Sequence, residues 1–369
     1  MRHFTFTSPA VLAGLAAAVT GLASAPARAQ SSVSIYGLID ASVERVRVSD
    51  TGTVNRVASG SGASSRWGLR GQEDLGGGLK ASFALESGFA VDTGTASRLF
   101  SRQAWVGLGS AMLGEVRLGR QNTPMLDAMV PTDADFASNF SPITPFLLSN
   151  LDQVRLDNMV SYTTPRLAGF DAMVAVAPGE RLATAGGGTR RSDTEALLRY
   201  QSGPVLATLA YHQGGQNAAA SAQQRGLYGA LRYDLGVAAL SAAYYEHRNE
   251  LSTGPQARMQ GIVAGVVVPV GAWSFTAQCG YGQDDGNAYA TGAPKPEGRG
   301  TVRLYNVGAI YNVSRRTLLY ARYAHAADSN ASFNGRPNVA AFGITNDPTN
   351  RLAAAGSASN AAVGLLHRF

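Results

Sequence analysis

From residue 33 onward the chain alternates in polarity. In Val33-Ser34-Ile35-Tyr36-Gly37-Leu38-Ile39-Asp40-Ala41-Ser42-Val43-Glu44 the odd positions carry Val, Ile, Gly, Ile, Ala and Val. The even positions carry Ser, Asp, Ser and Glu, with Tyr36 and Leu38 as exceptions. A period of two over about ten residues marks a strand with one apolar face. Phe170, Ala172, Val174 and Val176 form a second such row, and Val205, Ala207, Leu209 and Tyr211 a third. Trp273, Phe275, Ala277, Cys279 and Tyr281 stand opposite Ser274, Thr276 and Gln278. The last segment places Val363, Leu365, His367 and Phe369 on one face, with Gly364 and Arg368 on the other. Sixteen segments of this kind are predicted, centred near residues 40, 69, 85, 104, 117, 159, 173, 197, 209, 229, 243, 263, 278, 306, 321 and 363.

The connections sort by length. Short ones fall near 75–78, 111–114, 165–169, 202–204, 234–236, 269–271 and 312–316, and long ones near 49–63, 122–153, 178–193, 214–224, 285–300 and 328–356. Short turns at one end and long loops at the other are the arrangement of a transmembrane barrel, in which closure leaves no strand edge unpaired. The competing reading is a large soluble all-β protein with one buried face. Aromatic residues near strand ends (Trp67, Trp105, Tyr162, Tyr200, Tyr233, Tyr311, Tyr323 and Phe369) favour the barrel. An amphipathic ring prefers the boundary between lipid and water.

Composition agrees. Only 15% of the 369 residues are charged, against about 25% in an ordinary soluble domain. No apolar run is long enough for a membrane helix once the leader is set aside. Residues 1–29 read as a secretory signal: Arg2 and His3 precede an apolar core from Val11 to Ala23, and Ala27-Arg28-Ala29 fits a small-x-small cleavage site. Residues 30–369 then form one domain. A single cysteine excludes a disulfide scaffold or a Cys-rich metal site. The net charge of +6 is spread along the chain, so no nucleic-acid partner is implied. The five histidines show no ligand spacing, and no cofactor fingerprint or nucleophile elbow is present, so no metal, cofactor or catalytic residue is assigned.

Several stretches resemble the Gram-negative general porins of the β-proteobacterial type. They are Ser32-Val33-Ser34-Ile35-Tyr36-Gly37-Leu38-Ile39-Asp40, Ser65-Arg66-Trp67-Gly68-Leu69-Arg70-Gly71-Gln72-Glu73-Asp74-Leu75-Gly76-Gly77-Gly78-Leu79-Lys80, Gly114-Glu115-Val116-Arg117-Leu118-Gly119-Arg120, Asn158-Met159-Val160-Ser161-Tyr162-Thr163-Thr164-Pro165, Tyr311-Asn312-Val313-Ser314-Arg315-Arg316-Thr317-Leu318-Leu319-Tyr320 and the terminal His367-Arg368-Phe369. The resemblance implies an all-β, 16-stranded antiparallel barrel in the cell outer membrane, with long extracellular loops and short periplasmic turns. It implies a homotrimer and a third loop, here residues 121–153, folded into the lumen. The Pro-Glu-Phe-Gly-Gly stretch that enteric members carry in that loop is absent.

The same resemblance assigns the site. Arg66, Arg102 and Arg155 match the family's arginines on the second, fourth and sixth strands, which face acidic groups on the inserted loop. Asp127, Asp133 and Asp135 are the loop carboxylates available to face them. Parity supports an inward Arg66, opposite Trp67 and Leu69, and an inward Arg155, on a face with Asp157, Met159 and Ser161. It is poorer for Arg102, which shares a face with Ala104, Val106 and Leu108. A mid-membrane arginine facing lipid would cost about 2–4 kcal/mol, so one in mid-strand turns inward. Arg70, Arg199 and Arg232 are expected along the lumen wall, the last two away from the constriction. Phe369 matches the terminal aromatic that the outer-membrane assembly machinery reads. The function expected is passive diffusion of ions and small hydrophilic solutes through a water-filled channel with a preference for anions. The alternative is a substrate-selective porin for a small anionic nutrient such as an organic acid or phosphate. Lipopolysaccharide and outer-membrane lipid are the expected surroundings. An outer-membrane enzyme would need a catalytic constellation that is not seen, and a plugged barrel serving as an adhesin is the third class.

Overall fold

The computed structural model describes residues 32–49, 52–143, 154–179, 192–214, 223–250, 257–284, 300–329 and 357–369. The leader expected at 1–29, residues 144–153 of the inserted loop and most of the long loops lie outside the described residues. The strands are β1 (Ser32–Val48), β2 (Gly52–Ser59), β3 (Arg66–Gly76), β4 (Leu79–Gly88), β5 (Gln103–Ser110), β6 (Gly114–Asn122), β7 (Arg155–Thr163), β8 (Phe170–Ala177) and β9 (Asp193–Ser202). They continue as β10 (Val205–Gly214), β11 (Gln223–Asp234), β12 (Ala239–Glu250), β13 (Ala257–Val270), β14 (Trp273–Asp284), β15 (Gly300–Asn312), β16 (Thr317–Ser329) and β17 (Ser357–Arg368). One short helix, α1 (Pro124–Met129), lies between β6 and β7.

All strands join one antiparallel sheet that closes on itself. One edge of β1 pairs with β17, from Leu38 opposite Arg368 to Val48 opposite Ala358. Its other edge is shared. The half ending at Val48 pairs with β2, and the half starting at Ser32 pairs with β3. β2 and β3 are thus successive pieces of one stave, and the barrel has sixteen, one for each predicted segment. The region 49–63, expected as a plain loop, contains β2 instead; Arg56 on β2 pairs with Glu44 on β1 at 2.8 Å.

The two faces invert the usual order of a soluble protein. Val33, Ile35, Val43, Val106, Leu118, Val174, Leu209, Ile262, Val307 and Val363 are exposed on the outer face. The alternating inner positions bury Asp40, Ser42, Glu44, Glu86, Ser161, Asp171, Glu195, Gln278, Asn306 and Asn360. In hydrocarbon each unsatisfied backbone group costs several kcal/mol, so only a closed ladder with an apolar exterior is tolerated. Tyr162, Tyr233, Trp273, Tyr311 and Tyr323 stand on the outer face, with Trp273 and Tyr311 ring centroids 4.8 Å apart. Trp105 departs from the expected belt. Val106 and Leu108 take the outer face of β5, so the indole turns into the lumen. There Trp105 Nε1 donates to Gln103 Oε1 at 2.7 Å.

Phe369 extends the seam between the first and last strands. Phe369 N donates to Gly37 O and Gly37 N to Phe369 O, both at 3.1 Å. The ring lies over Gly37: a Cβ there would stand 2.5 Å from Phe369 Cζ and 2.6 Å from Arg66 O. Only glycine allows that approach. The substitution Gly37→Val is expected to destabilise the barrel by about 1–3 kcal/mol, the usual cost of overpacking. A lowered thermal transition in detergent, followed by circular dichroism, checks this; an unchanged transition refutes it.

Candidate functional site in the lumen

The chain leaves β6 and turns into the barrel. Thr123 Oγ1 accepts from Leu126 N at 3.3 Å and caps α1, and Pro124 fills the first helical position, where a missing N–H costs nothing. The segment then runs around the inner wall. Met125 N donates to Glu195 Oε2 on β9 at 3.1 Å, Thr208 Oγ1 on β10 to Ala128 O at 3.3 Å, and the Thr132 and Tyr228 hydroxyls meet at 2.8 Å. Further along, Asn139 N donates to Ser61 O at 3.2 Å, at the corner between β2 and β3. Met125, Met129, Phe140 and Ile143 pack with Met173, Leu197, Ala210, Tyr228, Met259 and Val302 in one apolar cluster. On this side the inner wall is apolar, and burying each large side chain contributes about 1.5–3 kcal/mol.

Buried acids fasten the segment. Asp133 accepts from Gln278 Nε2 and Ser141 Oγ at 2.7 Å each, and from Asp135 N and Ala137 N at 2.9 and 2.7 Å. Burial pushes the Asp133 carboxyl above its usual range; the donors Ser141, Ala137 and Gln278 oppose that shift, and the Asp135 charge adds to it. Asp135 is fully buried and receives Arg322 Nη2 at 2.9 Å, Asn306 Nδ2 at 3.1 Å and the Ser138 hydroxyl. The Arg322 guanidinium also lies 4.6 Å above the Tyr320 ring, whose hydroxyl donates to Asp40 Oδ1 at 2.6 Å. Asp40 Oδ2 accepts from Gly62 N and Ala63 N at 3.0 and 2.8 Å. The inserted segment and the β2–β3 corner are therefore tied to the same strand, β16.

The opposite wall is basic. Glu86 on β4 accepts from Arg102 Nε at 2.6 Å, lies 3.7 Å from Arg66 Nε and accepts from the Tyr36 hydroxyl at 3.0 Å. Arg155 joins this group: the charges acting on it are those of Arg102, Glu86, Arg120 and Arg66. Its Nε is buried and meets no hydrogen-bond partner among the described residues. Arg120 and Arg98 share Asp157 at 2.8 and 3.1 Å. Nearer the short-turn end, Arg70 lies 5.0 Å above the Tyr36 ring, and Arg117 lies 4.2 Å above the Trp105 ring while paired with Glu115 at 2.6 Å.

The expected residues distribute unevenly. Arg66, Arg102 and Arg155 come together. Simple alternation does not account for two of them. Arg102 precedes β5, so strand parity does not govern it. Above Met159 the alternation breaks at Asn158, which has φ of 57° where the β6–β7 register slips. Among the described residues, no ion pair joins the loop carboxylates to the arginines of this wall. Asp133 and Asp135 bind the wall of β14 to β16, and Asp127 receives the Asn122 amide at 3.5 Å. Arg70 lines the wall as expected. Arg199 pairs with Asp171 at 2.6 Å, with Arg166 on the same carboxylate. Arg232 stands beside the inserted segment rather than away from it: its Nη1 is 3.5 Å from Asp133 O and its guanidinium 5.7 Å from the Phe136 ring. Glu86, Asp40 and Arg322 were not singled out in the sequence. Inward parity on their strands (Ser82, Ala84 and Glu86, for example) was the signal available. His212 faces Glu195, with Nδ1 to Oε1 at 3.0 Å. Among the described residues, no group of three or more His, Cys, Asp or Glu could hold a metal ion.

Comparison with known proteins agrees with this geometry. Residues 14–331 match the family described as Gram-negative porin. Outer membrane porin protein 32 of Delftia acidovorans is 32% identical over 323 residues, covering 85% of this chain and 89% of the relative. The solved anion-selective porin from Comamonas acidovorans superposes with a TM-score of 0.78 at 27% identity, covering 92% of this chain and all of that one. OmpT of Vibrio cholerae, solved in a trimer form, has a TM-score of 0.65 at 16% identity, with 92% and 99% covered, and shows the fold alone.

The ion pair between Asp135 and Arg322 sets where the inserted segment lies. The substitution Asp135→Asn leaves a buried guanidinium without its counter-charge, and breaking such a pair costs about 3–5 kcal/mol. The expected outcome is a lower thermal transition together with noisier single-channel currents. Currents as quiet as those of the parent protein would show that the segment is held elsewhere.

Proposed function

Since the chain belongs to the Gram-negative porin family and forms a barrel of the outer membrane, a channel and not an enzyme, we propose that its lumen passes ions and small hydrophilic solutes by passive diffusion and prefers anions. One observation carries the preference: two arginines, Arg66 and Arg102, pair with one carboxylate, Glu86, and a third, Arg155, interacts electrostatically with the same group. Two carboxylates of the inserted segment, Asp133 and Asp135, are occupied by donors on the far wall, so they do not neutralise this group. An excess of fixed positive charge beside a water-filled path attracts anions and repels cations. Arginine suits the task, since it stays charged at any physiological pH and holds a fixed fork. The Comamonas acidovorans neighbour is described as anion-selective, which supports the same reading.

The second reading, a channel selective for a small anionic nutrient, draws on Arg155, whose Nε has no hydrogen-bond partner among the described residues. The proposal extends to a homotrimer, in line with the trimer form of the OmpT neighbour. It extends also to lipopolysaccharide and outer-membrane lipid around the apolar exterior, to a cleaved leader over residues 1–29, and to Phe369 as the signal read during membrane assembly.

Reversal potentials across planar bilayers in a salt gradient test the preference. The parent channel is expected to favour chloride over potassium. A unit charge about 4 Å from a permeating ion is worth about 1 kcal/mol in water. The charge acts with opposite sign on the two ions, so Arg155→Gln is expected to lower the chloride-to-potassium permeability ratio roughly thirtyfold, and Glu86→Gln to raise it. Cation selectivity in the parent channel overturns the reading.

A further inference from the structure

Below the constriction, on the periplasmic side, the register aligns Ser34 of β1, Arg70 of β3, Ala84 of β4 and Trp105 of β5 in one row. The next row toward the periplasm holds Gln72, Ser82, Gly107 and Arg117. Small residues therefore separate Arg70 from Trp105. Two strand spacings place their backbones about 10 Å apart. The result is a recess of about 500 Å³ in the lumen wall, lined by Tyr36, Arg70, Ala84, Trp105 and Arg117 among others. That volume is in the range of small-molecule sites.

The two arginines of the recess differ. Arg117 is neutralised by Glu115 at 2.6 Å, and Glu115 is itself held by the Ser82 hydroxyl at 2.7 Å. That arrangement fixes the guanidinium over one face of Trp105, while Gln103 holds the indole N–H. Arg70 is exposed to the lumen and is in no ion pair among the described residues; its polar contact is the Ser34 hydroxyl at 3.4 Å. The recess thus presents one uncompensated cation, a rigid indole and the Tyr36 ring. A large aromatic ring turned into a water-filled lumen gains nothing from lipid, unlike the aromatic belt outside.

The geometry points to a binding site for aromatic monocarboxylates, the carboxylate on Arg70 and the planar ring against Trp105. A single negative charge matches the single free guanidinium, and Glu115 opposes a second. The flat ring uses the indole, which a phosphate or a short aliphatic acid would leave idle. A neutral sugar would leave Arg70 unused. This inference rests on the reading of the lumen as an open, anion-preferring path.

The test uses the full channel in planar bilayers carrying chloride, titrated with benzoate, acetate and a neutral hexose. Benzoate is expected to interrupt the current at a concentration about tenfold lower than acetate, and the hexose not at all. Trp105→Leu and Arg70→Gln are each expected to raise the half-blocking benzoate concentration roughly tenfold, and Trp105→Phe to raise it less. A chloride current in each variant shows that it folds and opens. Equal block by benzoate and acetate, a hexose block as strong as that by benzoate, or a benzoate block that neither variant weakens, overturns the site. Reversal potentials on the same channels separate the two claims. Cation selectivity sinks the reading of the pore itself, whereas retained anion selectivity without preferential benzoate block sinks only the aromatic site.

Discussion

Hydrocarbon offers no hydrogen-bond partner, and that fact governs the whole molecule. Every strand must find a neighbour on both edges, so β1 has to meet β17. Phe369 adds to that pairing with two backbone hydrogen bonds to Gly37 and a ring laid on a residue that has no side chain to obstruct it. Once the sheet is closed, its outer face can hold only apolar and amphipathic residues. Its inner face is released from that demand, and the chain can place charges there that a soluble core would not accept.

The inner face is divided between two tasks. From β7 round to β17 it carries Met, Ala, Leu and Tyr together with well-satisfied acids, and it receives the inserted segment as a core receives a helix. From β3 to β7 it carries arginines. The division has an electrostatic consequence. A carboxylate saturated by donors, as Asp133 and Asp135 are, serves to position the segment and is screened from the path. Glu86 is left among Arg66, Arg102 and Arg155. The basic wall keeps its excess because the acids that could cancel it are spent on holding the loop.

Below that level the wall continues with paired motifs, Arg70 with Tyr36 and Arg117 with Trp105. Stacking keeps long guanidinium side chains from sweeping the lumen, at an attraction of roughly 0.5–2 kcal/mol per contact.

Alternation of polarity was enough to read the strands from the residues alone. The sixteen staves, the faces of β8, β10, β14 and β17 and the inward Arg66 all follow from a local rule: lipid touches every second residue. The rule has nothing to say where it is interrupted. β2 was hidden in a loop, since its residues 52–59 alternate only weakly. Arg102 lies just outside a strand, Arg155 beyond a register slip at Asn158, and Trp105 on the inner face of a strand whose aliphatic Val106 and Leu108 face lipid. The path of the inserted segment was beyond reach for a deeper reason. Asp135 is 187 positions from Arg322 and Asp133 is 145 from Gln278. Which wall the segment chooses depends on contacts that exist only after the barrel has closed. The chain's own order determined that it would be a hollow, outwardly apolar cylinder. Tertiary structure alone decided which charges face the path, because that choice is made between residues no local pattern connects.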